Sequence, residues 1–311
     1  MSGASPFVFT GRRGAELNPP SSSGELFGLA VGSGPLSSDK CAPPMRVTSK
    51  DNVFVKGLRR LAHDNLAYRK HGQVWLEGDH LCRAALERGQ RPTVAVFSES
   101  FWANPHVEWL RTAAKTVVIP DRLFADISGL ESPASMGFVL ELPNPPALRP
   151  DMATVVLDRV QDAGNVGSIL RSAGAFGFRQ IVALKGSAAL WSPKVLRAGM
   201  GAHFGLHLIE SADPSAVDAL AVPLVVTSSH QGRFLHEAPP PFPCAWVLGH
   251  EGQGIGEALA ARAAFAVRIA QPGGEESLNV AAAAAICLHA SAQASARQRW
   301  GYTDMGNLLG T

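Results

Sequence analysis

The sequence is poor in cysteine and contains no long hydrophobic run. Its four cysteines are widely spaced and form no C-x-x-C pair, which argues against a zinc site or a disulfide framework and favours a reducing cytoplasm. They are Cys41, Cys82, Cys244 and Cys287. The longest purely apolar run, Val280 to Leu288, is far shorter than the roughly 20 residues that a membrane-spanning helix needs. These absences predict a protein of the cytoplasm that has neither a membrane partner nor a bound metal.

The composition is that of a globular protein long enough for two domains. The 311 residues are 46% hydrophobic and 17% charged. The formal net charge of +2 hides an asymmetry, because Arg46 to Arg122 holds 13 basic and 8 acidic residues while Asp151 to Thr311 holds 11 and 12. This imbalance favours a protein whose basic first half binds a polyanionic substrate and whose second half modifies it. An ordinary solvated surface explains the charge equally well.

Proline and glycine divide the chain into four segments. Residues 1–45 show no sustained periodicity and are predicted to be a disordered tail, or translation from a misplaced start upstream of Met45. Residues 46–142 alternate helical and strand patterns and are predicted to form a small α/β domain. Residues 143–150 contain four prolines and are predicted to be a linker. Residues 151–311 are predicted to form a second α/β domain.

Short runs of apolar residues, many of them β-branched, predict the strands of both domains. In the first domain the strands are Val74–Leu76, Thr93–Phe97, Thr116–Ile119 and Phe138–Leu142, with helices over 52–68 and 78–89. In the second they are Thr154–Leu157, Gln180–Leu184, Leu206–Ile209, Pro223–Thr227, Ala245–Leu248 and Ala266–Ile269. The second set lacks period-two alternation, which indicates a parallel sheet covered by helices on both faces. Ligands of such sheets bind in the loops at the carboxyl ends of the strands.

The first of three unusual loops follows the strand that ends at Leu157. Asn165 is predicted to cap the next helix, on which Arg171 lies on the polar face, opposite Ile169 and Leu170. The amino terminus of a helix favours an anion, so Arg171 is a candidate for binding one. A surface arginine on an amphipathic helix explains the same pattern.

The other two loops follow later strands. Residues 249–256 contain four glycines, which indicate either tight turns or a backbone that a ligand approaches closely, and they include the unexplained acid Glu251. The third loop ends in Ser277-Leu278-Asn279 ahead of an alanine-rich helix. Ser277 or Asn279 is predicted to be the amino-terminal cap of that helix, and capping alone could explain both residues.

Taken together, the three loops resemble one family, the SpoU/TrmH-type RNA 2′-O-ribose methyltransferases of the SPOUT superfamily. The resemblance rests on Asn165-x-Gly-x-x-x-Arg171, on Gly249-x-Glu251-x-x-Gly254 and on Ser277-Leu278-Asn279, in that order. Residues 193–202 also look like a family segment, and residues 46–142 are similar to the family's small substrate-binding domain. One departure is the loop at residues 271–276, where the family often has Pro-Met and a basic residue but this chain has Gln-Pro-Gly-Gly-Glu-Glu.

The resemblance implies a knotted (trefoil) parallel-sheet methyltransferase domain, S-adenosylmethionine as cofactor, and a homodimer with a shared active site. It implies structured RNA as the substrate, ribosomal rather than transfer RNA. The implied cofactor-binding residues are Gly249, Ile269, Leu278, Thr227 and Gly254. The implied catalytic residues are Arg171, Asn165, Glu251, Ser277 and Asn279. Basic residues of the first domain are the expected RNA contacts: Lys56, Arg59, Arg60, Arg69 and Lys70.

Two questions stay open at the level of sequence. The family's arginine has been considered a base, but a guanidinium with a pKa above about 12 acts more readily as an electrostatic clamp on phosphate and alkoxide. The other open question is the class of protein. A non-catalytic RNA-binding protein with the same fold and a nucleotide-dependent oxidoreductase are the two alternatives to a methyltransferase.

Overall fold

The computed structural model describes residues 43–104, 109, 112–228, 232–238, 240–274 and 277–300. The predicted tail at 1–45 therefore lies almost entirely outside the described residues, as do Cys41, Glu275, Glu276 and residues 301–311. Within the described ranges, no helix is long and apolar enough to cross a membrane.

In the residues that the structure describes, the first half of the chain forms a mixed five-stranded sheet with the order β1-β4-β3-β5-β2. Its strands are β1 (Met45–Arg46), β2 (Gln73–Glu77), β3 (Val94–Ser98), β4 (Lys115–Ile119) and β5 (Met136–Glu141). Strands β1, β4 and β3 are parallel, and β5 runs antiparallel to both β3 and β2. The helices are α1 (Val53–His63), α2 (Ala67–His71), α3 (Asp79–Glu87), α4 (Glu99–Ala103) and α5 (Asp121–Ile127).

The prediction of a single helix over 52–68 is wrong, because the helix ends at His63 and Asp64 is not helical. The side chain of Asn52 accepts a hydrogen bond from the Phe54 amide and begins α1. Asp64 then adopts an extended backbone, and its carboxylate accepts from the Leu66 amide over 2.9 Å. This local turn competes with the helix and separates α1 from α2.

The second half forms an all-parallel sheet, which has seven strands in the described residues, in the order β10-β12-β9-β11-β6-β7-β8. The strands are β6 (Thr154–Leu157), β7 (Gln180–Leu184), β8 (His207–Ala212), β9 (Leu224–Thr227), β10 (Arg233–Phe234), β11 (Ala245–Leu248) and β12 (Phe265–Arg268). The helices are α6 (Ala163–Ala175), α7 (Pro193–Gly199), α8 (Glu257–Ala260) and α9 (Val280–Trp300). The predicted α/β class with a parallel sheet is confirmed.

Strand β6 shows why these strands lack alternation. Val155 and Leu157 pack with α6 on one face of the sheet, whereas Val156 belongs to a separate core on the other face, and all three are fully buried. On β11, the buried indole Nε1 of Trp246 donates to the Ser291 hydroxyl over 3.0 Å. This bond attaches α9 to the sheet at the strand that precedes the glycine-rich loop.

The two sheets share packed side chains. Leu196 of α7 lies in the same hydrophobic cluster as Leu76 and Phe138 of the first sheet. The buried Tyr68 hydroxyl donates to both carboxylate oxygens of Glu210 on β8, over 2.8 and 2.9 Å. The linker at 143–150 connects the two sheets along the chain and contains neither helix nor strand. The two sheets therefore share part of one hydrophobic core. The division of the chain into separate domains stays a prediction.

Candidate active site

A cavity of about 360 Å³ lies at the carboxyl ends of β9 and β11, where ligands of parallel sheets bind. Its lining includes seven of the ten residues that the sequence singled out as cofactor-binding or catalytic. They are Thr227, Gly249, Glu251, Gly254, Ser277, Leu278 and Asn279. The other lining residues are Leu248, His250, Ile255, Val280 and Ala283. Leu248, Ile255 and Leu278 give this cavity an apolar wall, while the glycines expose backbone groups to it.

Asn165 is not itself a lining residue of this cavity, but its side-chain amide bonds to two residues that are. Its Nδ2 donates to Oε1 of Glu251 over 3.2 Å, and its Oδ1 accepts from Nδ2 of Asn279 over 2.9 Å. One residue from each of the three sequence motifs therefore takes part in a single chain of hydrogen bonds. Because these residues are 86 and 114 positions apart, only the tertiary fold brings them together.

The caps of the two helices leave the Asn165 amide available for this role. The predicted cap at Asn165 is wrong, because α6 begins earlier and Asp162 caps it by accepting from the Asn165 backbone N–H over 2.7 Å. The alternative prediction for α9 resolves in favour of Asn279, whose Oδ1 accepts from the amides of Ala281 and Ala282. Asn279 thus caps α9 with its oxygen and holds Asn165 with its nitrogen.

Glu251 is held in its ionised form. Burial by itself would raise the pKa of Glu251, but hydrogen bonds outweigh that effect and lower the pKa from its usual value. The donors are its own backbone N–H, the Asn165 side chain and the backbones of Asp162 and Gln161. Glu251 is therefore a carboxylate at neutral pH, and it is the only acidic side chain among the described residues that line the cavity.

Three residues that sequence reasoning did not assign hold the glycine-rich loop in place. Nδ1 of His250 accepts from the Gly252 and Gln253 amides over 2.9 and 3.2 Å. The buried Asp158 accepts from the Gly256 amide over 2.7 Å and pairs with Arg159, which in turn donates to the Gln253 side chain. Asp158 and Arg159 could have been found from the sequence, because they directly follow β6. Polar residues at the carboxyl end of a parallel strand lie next to the ligand-binding loops.

Gly249 has its backbone pressed against the far end of its own loop. A Cβ atom at this position would lie 2.3 Å from the Gly254 carbonyl carbon and 2.4 Å from the Ile255 nitrogen. Both neighbours are backbone atoms, so they could not move aside as a flexible side chain would. Gly254 itself has φ +67°, a left-handed conformation that glycine adopts without strain. The loop therefore needs glycine at both ends.

The structure does not bring Arg171 to the cavity of its own chain. Arg171 is exposed on α6, as its polar position predicts, in a separate depression of about 430 Å³. Ser168, Ser172, Ala175, Phe176 and Ala285 of α9 also line this depression. Ile269, another expected cofactor contact, lies just past β12 and packs against the main core, outside the cavity lining.

The five basic residues of the first half fall into different surroundings. Lys56 pairs with Asp51 over 3.0 Å, and Arg59 Nε donates to the Asp126 carbonyl over 3.4 Å. Arg60 and Lys70 are exposed. The guanidinium of Arg69 instead donates to the Tyr68 hydroxyl and the Ser211 hydroxyl, each over 3.1 Å, so it lies between the two sheets.

Comparison with known proteins identifies the family to which this arrangement belongs. The profile of the SpoU rRNA Methylase family matches residues 152–289. An uncharacterized tRNA/rRNA methyltransferase of Synechocystis is 30% identical, over 88% of this chain and 99% of its own length. The chain belongs to the SpoU methylase family. The chain is therefore a SpoU-type RNA methyltransferase, and all three motifs lie within the stretch that the family profile matches.

A further relative and one solved structure agree with this membership, and a second solved structure has the same fold. The 23S rRNA (guanosine(2553)-2′-O)-methyltransferase RlmP of Bacillus subtilis is 29% identical, over 78% of this chain and 98% of its own. A TrmH-family RNA methyltransferase structure from Porphyromonas gingivalis matches with TM-score 0.66 and 32% identity, over 76% and 96% of the two chains. The SpoU methyltransferase AviRb of Streptomyces viridochromogenes, solved with AdoMet, has the same fold at TM-score 0.67 and 23% identity, over 79% and 99%.

Proposed function

We propose that this SpoU methyltransferase transfers a methyl group from S-adenosylmethionine to a ribose 2′-hydroxyl of ribosomal RNA. The observation that carries the proposal is the hydrogen-bonded chain Glu251–Asn165–Asn279 at the wall of the cavity. The 2′-O-methyltransferase activity of the Bacillus subtilis relative on 23S rRNA supports the reaction and the substrate class. The proposal places the enzyme in the cytoplasm, where bacterial ribosomal RNA is located.

The cavity suits the cofactor in size and in the groups it presents. Its volume of about 360 Å³ falls within the ordinary range of small-molecule sites. Leu278, Leu248 and Ile255 would pack against the adenosine, while the backbones at Gly249 and Gly254 and the end of β9 at Thr227 would bond its polar edges. Ile269, which lies outside the lining, would contribute through its backbone just past β12. When bound, S-adenosylmethionine supplies an activated methyl group, so the protein needs mainly to align the acceptor hydroxyl with it.

Asn165, Glu251 and Asn279 would perform that alignment. The Glu251 carboxylate and the Asn279 amide fix the orientation of the Asn165 side chain, and the caps of α6 and α9 fix their backbones. Ser277 presents a hydroxyl to the same cavity. Preorganised alignment of this kind contributes on the order of 7–11 kcal/mol to such a transfer.

Arg171 would act from a second copy of the chain. In one chain it is absent from the cavity lining and lies on an exposed surface of α6 that continues onto α9 at Ala285. A homodimer that pairs these surfaces would supply Arg171 to the partner's site, where its permanent charge would hold the target phosphate and the emerging alkoxide. A phosphate oxygen then accepts the hydroxyl proton. The trefoil knot is part of the same proposal, and no metal takes part.

The test of the function is cofactor binding followed by methyl transfer. Equilibrium binding is measured with labelled S-adenosylmethionine and, as a control, with NAD, and transfer is then measured to ribosomal and to transfer RNA. We expect S-adenosylmethionine to bind, NAD to be ignored and ribosomal RNA to be labelled. Binding of NAD alone would support an oxidoreductase. RNA binding without cofactor binding would support a non-catalytic protein.

The first half would hold the RNA through the exposed cations Lys56, Arg60 and Lys70, with Arg59 beside them. Replacing Lys56, Arg59 and Arg60 together should weaken RNA binding, flatten its dependence on salt and leave cofactor binding intact. Arg69 belongs to this RNA-binding set only if RNA displaces it from Tyr68 and Ser211. Unchanged RNA affinity at low and high salt would show that the cluster is solvated surface.

A further inference from the structure

Two exposed arginines from opposite halves of the chain converge on one point of the surface. At Gly205, the position of a Cβ atom would lie 3.2 Å from Nε of Arg88 and 3.6 Å from Nη1 of Arg179. Arg88 follows α3 of the first half, and Arg179 immediately precedes β7 of the second half. Both nitrogens lie within 3.6 Å of this one point, so the two guanidinium groups are close neighbours.

The protein itself does not neutralise this pair of charges. Nη1 of Arg88 donates over 2.9 Å to the Gly201 carbonyl, which orients the group but carries no charge. Among the described residues, neither Arg88 nor Arg179 forms an ion pair with a carboxylate, although other arginines do: Arg262 pairs with Asp218, and Arg159 pairs with Asp158. Two like charges this close repel each other, and an anion bound to both would offset that repulsion.

We propose that Arg88 and Arg179 form a second binding point for a phosphate of the RNA substrate. The inference rests on the proposed function, since it takes the polyanion to be the methylated RNA. A guanidinium presents a planar set of donors that fits phosphate oxygens, and two of them can hold one phosphate from both sides. Gly205 leaves the space between them open, because any side chain there would crowd the Arg88 group.

The position of the pair relative to the reaction site suits an extended RNA. Asn165 lies near the start of α6 and Arg179 lies four residues beyond its last residue, Ala175, so the stretch of helix between Asn165 and Ala175 is by itself roughly 15 Å long at 1.5 Å per residue. This distance is too long for the target nucleotide itself. The pair therefore contacts a part of the RNA several nucleotides away, and because it joins the two halves it sets the register of the RNA across them.

The test is RNA affinity as a function of salt, measured by direct binding and separately by the KM for RNA. Arg179→Gln is the informative variant because the Arg179 side chain has no protein partner among the described residues, and Arg179→Glu reverses its charge. We expect about a tenfold weaker RNA affinity for Arg179→Gln and a larger loss for Arg179→Glu. The slope of the logarithm of the binding constant against the logarithm of salt concentration should become shallower by about one. The KM for RNA should rise, while kcat and S-adenosylmethionine affinity stay near normal.

Arg262→Gln is the matched control, since Asp218 already neutralises Arg262, and it should leave RNA binding unchanged. RNA affinity and salt slope equal to those of the unmodified protein in both Arg179 variants would overturn the proposal. A normal KM with a lowered kcat would also overturn it, because that result indicates a structural effect on the site. Failure of the unmodified enzyme to methylate any RNA would contradict the proposed function, while the binding measurement would still decide the role of the pair.

Discussion

The side-chain nitrogen Nδ2 of Asn165 lies 3.2 Å from the Glu251 carboxylate, although the two residues are 86 positions apart in sequence. The contact joins the start of α6 to the glycine-rich loop after β11. Asn279 completes it from the start of α9 by donating to the Asn165 oxygen. The orientation of the proposed catalytic amide is therefore set from both sides, by one acceptor and one donor.

Replacing Glu251 with glutamine tests whether the charge of this acceptor matters. Glu251→Gln keeps an oxygen that can accept from Asn165 but removes the only carboxylate of the described cavity lining. We expect methyl transfer to fall at least tenfold, since hydrogen bonds to charged groups are stronger than those to neutral ones. Single-turnover kinetics and a melting curve measure this. A normal rate would show that the acceptor needs no charge.

The pH dependence of Glu251 follows from its lowered pKa. A carboxylate whose folded-state pKa is depressed stabilises the fold fully above its unfolded value of about 4.3, and the contribution disappears as pH falls through the lower folded value. Glu251 therefore stays ionised between pH 6 and 8, and its titration should cause no change in cofactor affinity over that range. A loss of affinity in that range that Glu251→Gln abolishes would contradict the assignment.

Gly249→Ala tests the close approach of the loop ends. The added methyl would collide with the backbone at Gly254 and Ile255, so the loop must shift. We expect at least a tenfold loss of S-adenosylmethionine affinity, measured by titration. Gly273→Ala is the control, because a Cβ atom there has no neighbour within 4 Å. Equal affinity in the two variants would mean that the cofactor does not use this loop.

Much of the fold could be predicted from sequence because buried parallel strands leave a clear apolar signature. Strands β6, β7 and β11 begin and end at the predicted residues. The positions of the site residues were less accessible, since a cap depends on local hydrogen bonds. Asp162 and Asn165 both suit a helix start, and only the fold shows that Asp162 caps α6 while Asn165 faces Glu251. The joining of the halves through Tyr68 and Glu210, 142 residues apart, had no local signal.

Tyr68→Phe should weaken the attachment of the two halves. Burial and the nearby Glu210 carboxylate raise the pKa of Tyr68, so the phenol keeps its proton and donates it to Glu210. Losing a hydrogen bond to a charged group costs about 1.5–3 kcal/mol, which denaturant unfolding would detect. Lys56→Ala removes only an exposed pair with Asp51 and should change stability by less than about 0.5 kcal/mol. Equal stabilities of the two variants would contradict this account.

Acid should destabilise the protein through His203. Burial lowers the pKa of His203 to about 4, and its Nε2 lies 2.9 Å from the Leu190 carbonyl. Because the unfolded chain takes up a proton near pH 6.5, stability from this group is full above that value and is lost as pH falls toward 4. Between pH 7 and 5 the loss is about 2 kcal/mol. Unfolding of His203→Gln should lack this part of the pH dependence, and identical pH slopes would refute it.

Single-turnover transfer of a labelled methyl group to ribosomal RNA, followed by alkaline hydrolysis, tests the central claim most directly. A ribose 2′-O-methyl group blocks cleavage of its own linkage, so the label should appear in an alkali-resistant dinucleotide. Arg171→Ala should stay folded and bind S-adenosylmethionine, yet transfer the methyl roughly a hundredfold more slowly, and Arg171→Lys should restore little. Label in a mononucleotide, or a normal rate in Arg171→Ala, would contradict the account.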